Sequence, residues 1–143
     1  MAQGDLFLFE EFSLTISDLI VCGDDTFKLG LVTSAVVPTA ADGAPAFGDY
    51  TEVSGTNYTA GGYTLTTTWT EASGTATFDA TGSPAASWTK NASGPTNIAW
   101  GIVYSSTSTA DNAVCAVDFD GPISLVDGDI TWEPHASGIF TLS

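Results

Sequence analysis

The segment from Ile98 to Phe119, IAWGIVYSSTSTADNAVCAVDF, restricts the choice of fold more than any other part of the chain. Ile98, Trp100, Ile102 and Tyr104 alternate with Ala99, Gly101 and Val103, a period of two that belongs to a strand. Val114 to Phe119 is a second apolar run, rich in β-branched and aromatic residues. Between them, Ser105 to Ala113 is small and polar, as a connecting loop is. The stretch reads as a long antiparallel hairpin, apolar on both faces and so placed centrally in a sandwich, with Trp100 expected in the core.

The other segments fit the same architecture. Phe27, Leu29 and Leu31 share one face of a strand. Tyr63 to Thr70 alternates as one half-buried strand, entered through the turn signal Gly61-Gly62. Ala76 and Phe78, Trp88, Ile130 and Trp132, and the segment Ile139 to Leu142 mark further short strands. The expectation is an all-β chain, an antiparallel β-sandwich or jelly-roll-like fold of about eight short strands. Residues 1–26 read as an N-terminal arm or short helix, and 27–143 as a single β-sandwich domain. Asp5 to Val21 fits a strand through Phe7, Phe9, Phe12, Leu14 and Ile16, and also fits one helical face. The loop Pro38 to Tyr50 is long for a compact domain, which marks it for contacts.

Charge narrows the function. Seventeen carboxylates stand against Lys28 and Lys90, a net charge of −15 over 143 residues. Nucleic-acid binding works by neutralising phosphates with Lys and Arg, so no nucleic-acid partner is expected. An anionic membrane surface is disfavoured for the same reason. No apolar run reaches the ~20 residues of a spanning helix. The opening MAQGDLFLFEEF has neither positive charge nor a small-residue cleavage site, and does not read as a signal peptide. Cys22 and Cys115 are far apart and belong to no CxxC pair, so buried free thiols are expected; a disulfide would need Cα atoms within about 7 Å.

No catalytic motif is present, and no enzyme activity or cofactor is expected. His135, the one histidine, follows Pro134 in a turn-like segment and reads as a surface residue. Asp118, Asp120, Asp127 and Asp129 lack the regular ligand spacing and closing Glu of a calcium loop, and read as turn aspartates rather than a metal site. The tryptophans Trp69, Trp88, Trp100 and Trp132 lie within strand patterns, which favours packing over a sugar-stacking platform.

Several stretches, DTFKLGLVTS (Asp25 to Ser34), NYTAGGYTLT (Asn57 to Thr66), IAWGIVYSS (Ile98 to Ser106) and the closing GDITWEPHASGIFTLS, resemble a family of small tailed-bacteriophage virion structural proteins. Ser87 to Lys90 resembles the family's short strand before the central hairpin. These are fold-specifying strands and turns. The resemblance implies a capsid decoration or cement protein, located on the virion's capsid surface after synthesis in the host cytoplasm. It would bind the major capsid protein as a homo-oligomer, a dimer or trimer. The alternatives are a tail-associated or fibre-attachment protein and a carbohydrate-binding sandwich aiding adsorption. Phe7, Phe9, Phe12, Leu14 and Ile16 of the arm, with Phe47 and Tyr50 of the long loop, are the candidate partner contacts, since an apolar arm left free would expose a large patch; the arm either reaches a neighbour in this way or docks on its own sandwich.

Overall fold

In the computed structural model, which describes residues 5–12 and 20–143, the apolar alternations become ten antiparallel strands. They are β1 (Leu6–Leu8), β2 (Phe27–Val32), β3 (Tyr63–Thr64), β4 (Thr66–Ala72), β5 (Thr75–Thr81), β6 (Ala86–Trp88), β7 (Ile98–Ser105), β8 (Ala113–Ile123), β9 (Ile130–Trp132) and β10 (Phe140–Leu142). A five-stranded sheet runs β1-β8-β7-β2-β3, and a three-stranded sheet β10-β5-β4 with the pair β6-β9 forms the opposing layer. The result is an all-β, antiparallel, sandwich-like fold. Its main core lies between the layers. Phe27, Leu29 and Leu31 of β2, Val103 of β7, and Val117 and Phe119 of β8 meet Phe78, Phe140, Trp88 and Trp132 from the other side. Across the gap the rings of Phe27 and Phe78 pack edge-on with centroids 4.7 Å apart.

The central hairpin is β7 and β8, and it carries two irregularities that its sequence period hides. Pairing slips between Ile98 and Trp100, and again between Val103 and Tyr104. At the first slip two steps of β7, Ile98 to Trp100, stand against five of β8, Ile123 to Asp118, and at the second one step of β7 stands against two of β8. Such irregularities change which side chains face the core. Ile98 therefore joins the main core with Val103, while Trp100, Ile102 and Tyr104 point to the outer face. Trp100 is half-buried there, edge-on to Phe7, and is not the core residue the alternation suggests. On β8 the second slip sends the adjacent Val114 and Cys115 inward together, with Ala113 and Ala116 outward.

The segment Tyr63 to Thr70 is likewise two strands instead of one. β3 pairs with β2 in the large sheet, and β4 pairs with β5 in the small one. The chain changes sheets at Leu65, whose side chain is buried and whose N–H donates to the Phe27 carbonyl at 2.9 Å. The turn before β3 needs glycine. Gly61 and Gly62 have φ of +91° and +88°, and a Cβ on Gly62 would lie 2.1 Å from the Leu29 carbonyl oxygen.

The described part of residues 1–26 belongs to the same domain as the rest. β1 extends the large sheet by pairing Leu6 with Val117 and Leu8 with Cys115. Phe12, Ile20 and Cys22 are buried in the main core. Both cysteines are free and buried. Burial pushes the Cys115 thiol up to about 12; burial first, and Asp25 second, push Cys22 up to about 11. Both stay protonated at neutral pH and are poor nucleophiles.

Candidate interaction surface

An apolar sheet face needs a cover, and the large sheet has two such faces. Its outer face carries Val32, Ile102, Tyr104, Ala113 and Ala116, all buried. The cover is made from the two segments singled out as partner contacts. The arm contributes Phe7 and Phe9, and the loop contributes Phe47 and Tyr50. Phe47 stacks on Tyr104 with parallel rings 4.3 Å apart. It seats in a notch at Gly30, where a Cβ would come within 2.3 Å of its ring. Phe9 stacks on Tyr50, and Phe7 packs edge-on against Phe9 and Trp100.

Backbone bonds tie the two segments together. Glu10 N–H donates to the Ala40 carbonyl at 2.7 Å, and Glu11 N–H to Gly43 at 3.3 Å. The loop is also zipped to the hairpin connection: Phe47 N–H donates to Asp111 and Ala113 N–H to Pro45, both at 2.9 Å. Within the loop, Asp42 is the organising side chain. It accepts from the Thr39 hydroxyl at 2.6 Å, the Thr39 N–H at 3.0 Å and the Tyr50 hydroxyl at 3.1 Å.

As docked here, Phe9, Phe47 and Tyr50 are buried in this cap, and Phe12 lies in the main core, 4.8 Å from the Phe140 ring. These four satisfy their apolar surface inside their own chain, so they are not free docking surface. Phe7 is half-buried. Leu14 and Ile16 lie outside the described residues. The two segments singled out in the sequence for contacts with neighbours thus meet each other on the outer face of their own sheet. A signal was available in Gly30: a glycine inside a strand marks a close approach by another group.

The Asp42 cluster predicts a pH effect. Burial pushes its carboxyl up, but the bonds from Thr39 and Tyr50 outweigh this and hold it below its ordinary value of 3.8. The folded chain thus binds this proton more weakly than the unfolded chain. The anchoring is fully present above about pH 4 and is lost as pH falls through the lowered folded value. Asp42→Asn should be less stable than the parent at pH 7, and the gap should narrow as pH falls below the ordinary carboxylate range, as read from paired denaturation midpoints. A gap that persists unchanged at low pH would show that the ionised carboxylate contributes nothing.

The remaining candidates are structural in their contacts. Asp118 accepts from Asp120 N–H at 2.8 Å, and Asp129 from Lys90 N–H at 2.7 Å. Among the described residues, no three His, Cys, Asp or Glu side chains are gathered as metal ligands. His135 is exposed and its Nδ1 accepts from Ser137 N–H. Trp88 and Trp132 are buried on the paired strands β6 and β9, so the tryptophans form no common platform. Tyr58 bridges the layers' margin: its hydroxyl donates to Glu52 at 2.7 Å and accepts from Leu31 N–H at 3.0 Å. Burial, reinforced by Glu52, raises its pKa, so it stays a neutral donor. No helix among the described residues is long and apolar enough to cross a membrane. No family model, curated protein or solved structure matches the chain.

Proposed function

We propose that this chain is a structural protein of a tailed-bacteriophage virion, a decoration protein that binds the outer capsid shell through the major capsid protein. The observation that carries the reading is where the family-like stretches fall. DTFKLGLVTS, NYTAGGYTLT and IAWGIVYSS supply β2, β3 and β7, which are hydrogen-bonded neighbours in the order β7-β2-β3. GDITWEPHASGIFTLS supplies β9 and β10 of the opposing layer. The resemblance therefore lies on the framework of both layers and not on scattered loops.

The physics of the role is binding alone. A protein that binds the assembled shell and not its dissociated subunits stabilises the assembly by mass action, at RT ln(1 + [L]/Kd) per site. A rigid sandwich loses little conformational freedom when it docks. The surface charge of seventeen carboxylates against two lysines disfavours the packaged nucleic acid as a partner. The test is the copy number and position of the chain in purified virions of the phage that encodes it. Hundreds of copies, with density on the outer shell, are the expected result. A few copies confined to the tail would replace this reading with the tail-associated one.

A further inference from the structure

The three-stranded sheet ends, among the described residues, in an edge that lacks the usual protections. Among the described residues, β4 pairs only with β5, in unbroken register from Thr66↔Thr81 to Ala72↔Thr75. It is seven residues long, whereas the other edge strands, β1, β3, β6, β9 and β10, have two or three. Sheet edges are ordinarily blunted by Lys, Pro, a bulge or shortness. The sequence TTTWTEA has no Lys and no Pro, and its pairing has no bulge. Its single charge, Glu71, is turned back to accept from the Gly74 N–H. Most of its side chains are exposed, and Trp69 is 37% exposed although it packs on Phe78 and Phe140.

We infer that β4 is a homodimer interface, in which the β4 strands of two copies pair antiparallel about a two-fold axis through Trp69, joining the two small sheets into one six-stranded sheet. The sequence is self-complementary in that register. Trp69 meets its own copy, Thr68 meets Thr70, Thr67 meets Glu71 and Thr66 meets Ala72. Cross-strand aromatic and Thr–Thr pairs are favourable, and no carboxylate stands opposite another. A two-fold contact of this kind closes on itself and goes no further. The alternation places Thr68 and Thr70 on the face away from Phe78, so their side chains are free of the core. The opposing force is the charge of −15 on each copy, which salt screens. Association should therefore tighten as NaCl rises to about 0.5 M. The inference is independent of the virion reading and is tested on the free protein in solution.

Sedimentation equilibrium should give twice the 14.7 kDa chain mass at high concentration and salt. The double variant Thr68→Lys with Thr70→Lys sets lysine against lysine twice in this register. It should weaken the dimer about tenfold or more, although it lowers the net charge from −15 to −13 and so reduces general repulsion. Thr68→Lys with Thr70→Glu keeps the charge at −15 and sets lysine against glutamate, so it should dimerise like the parent. In the parent, amide exchange across Thr66–Ala72 should slow as concentration rises through the dimer range, a readout that needs no variant. A parent that stays monomeric at high salt, a double-lysine variant that dimerises unchanged, or exchange in β4 that ignores concentration would each overturn the inference.

Discussion

Removal of residues 1–21 is expected to abolish the cooperative unfolding transition of the remaining chain. The deletion takes away Phe9, Phe12 and Ile20, each buried, and the whole of β1. At about 1.5–3 kcal/mol for each large apolar side chain, the three together stabilise the fold by about 5–9 kcal/mol, an upper estimate. A domain of this size is stable by about 5–15 kcal/mol in total. The deletion also uncovers Tyr50, on which Phe9 stacks, and Phe140, which Phe12 meets edge-on, and opens the edge of β8. Loss of near-ultraviolet circular dichroism and a tendency to aggregate should accompany the loss of the transition. A truncated chain that melts within a few degrees of the full-length protein would mean that the arm is an accessory, available to neighbours as its apolar sequence first suggests.

Gly62→Ala is expected to cost about 2–6 kcal/mol, more than Gly61→Ala. Both residues have positive φ, which a Cβ makes unfavourable by about 1–3 kcal/mol. The difference is what each Cβ meets. At Gly62 it meets backbone, the Leu29 oxygen at 2.1 Å and the Gly30 Cα at 2.6 Å, which cannot rotate away. Relief requires β3 to move off β2, at a further cost of about 1–3 kcal/mol for overpacking. At Gly61 the nearest atom is the Tyr104 hydroxyl at 3.3 Å, the end of a side chain. Separating β3 from β2 also loosens the Gly61 carbonyl, which accepts from the Tyr104 hydroxyl at 2.7 Å. Denaturant midpoints for the two alanine variants give the comparison. Equal midpoints would show that the close approach of β3 to β2 is absent in solution.

Where sequence and structure agree, a local signal determines the outcome. The period of Phe27, Leu29 and Leu31 is read correctly because β2 is a regular strand with a regular partner, and all three enter the main core. The turn at Gly61-Gly62 is readable because only glycine fits its dihedral angles and its space. The misreadings share a different cause. Trp100 and Ile98 look alike in a period-two pattern, yet the pairing with β8 is irregular between them and they lie on opposite faces. Leu65 looks like one more alternating residue, yet there the chain passes from one sheet to the other. The apolar residues of the arm state that they must be buried and say nothing about where. Their cover on the outer face depends on the loop at Phe47, on the notch at Gly30 and on the bonds from Glu10 and Glu11, all long-range contacts that no window of sequence contains.

The proposed role, decoration of a tailed-bacteriophage shell, is tested most directly by the rebinding of purified full-length protein to capsid shells that lack it. The shells should take up the protein to a saturating, fixed ratio to the major capsid protein. Their disruption temperature should rise with the concentration of free protein, as mass action requires for a ligand of the assembled state alone. Shells that take up none, and that disrupt at the same temperature with and without the protein, would contradict the account.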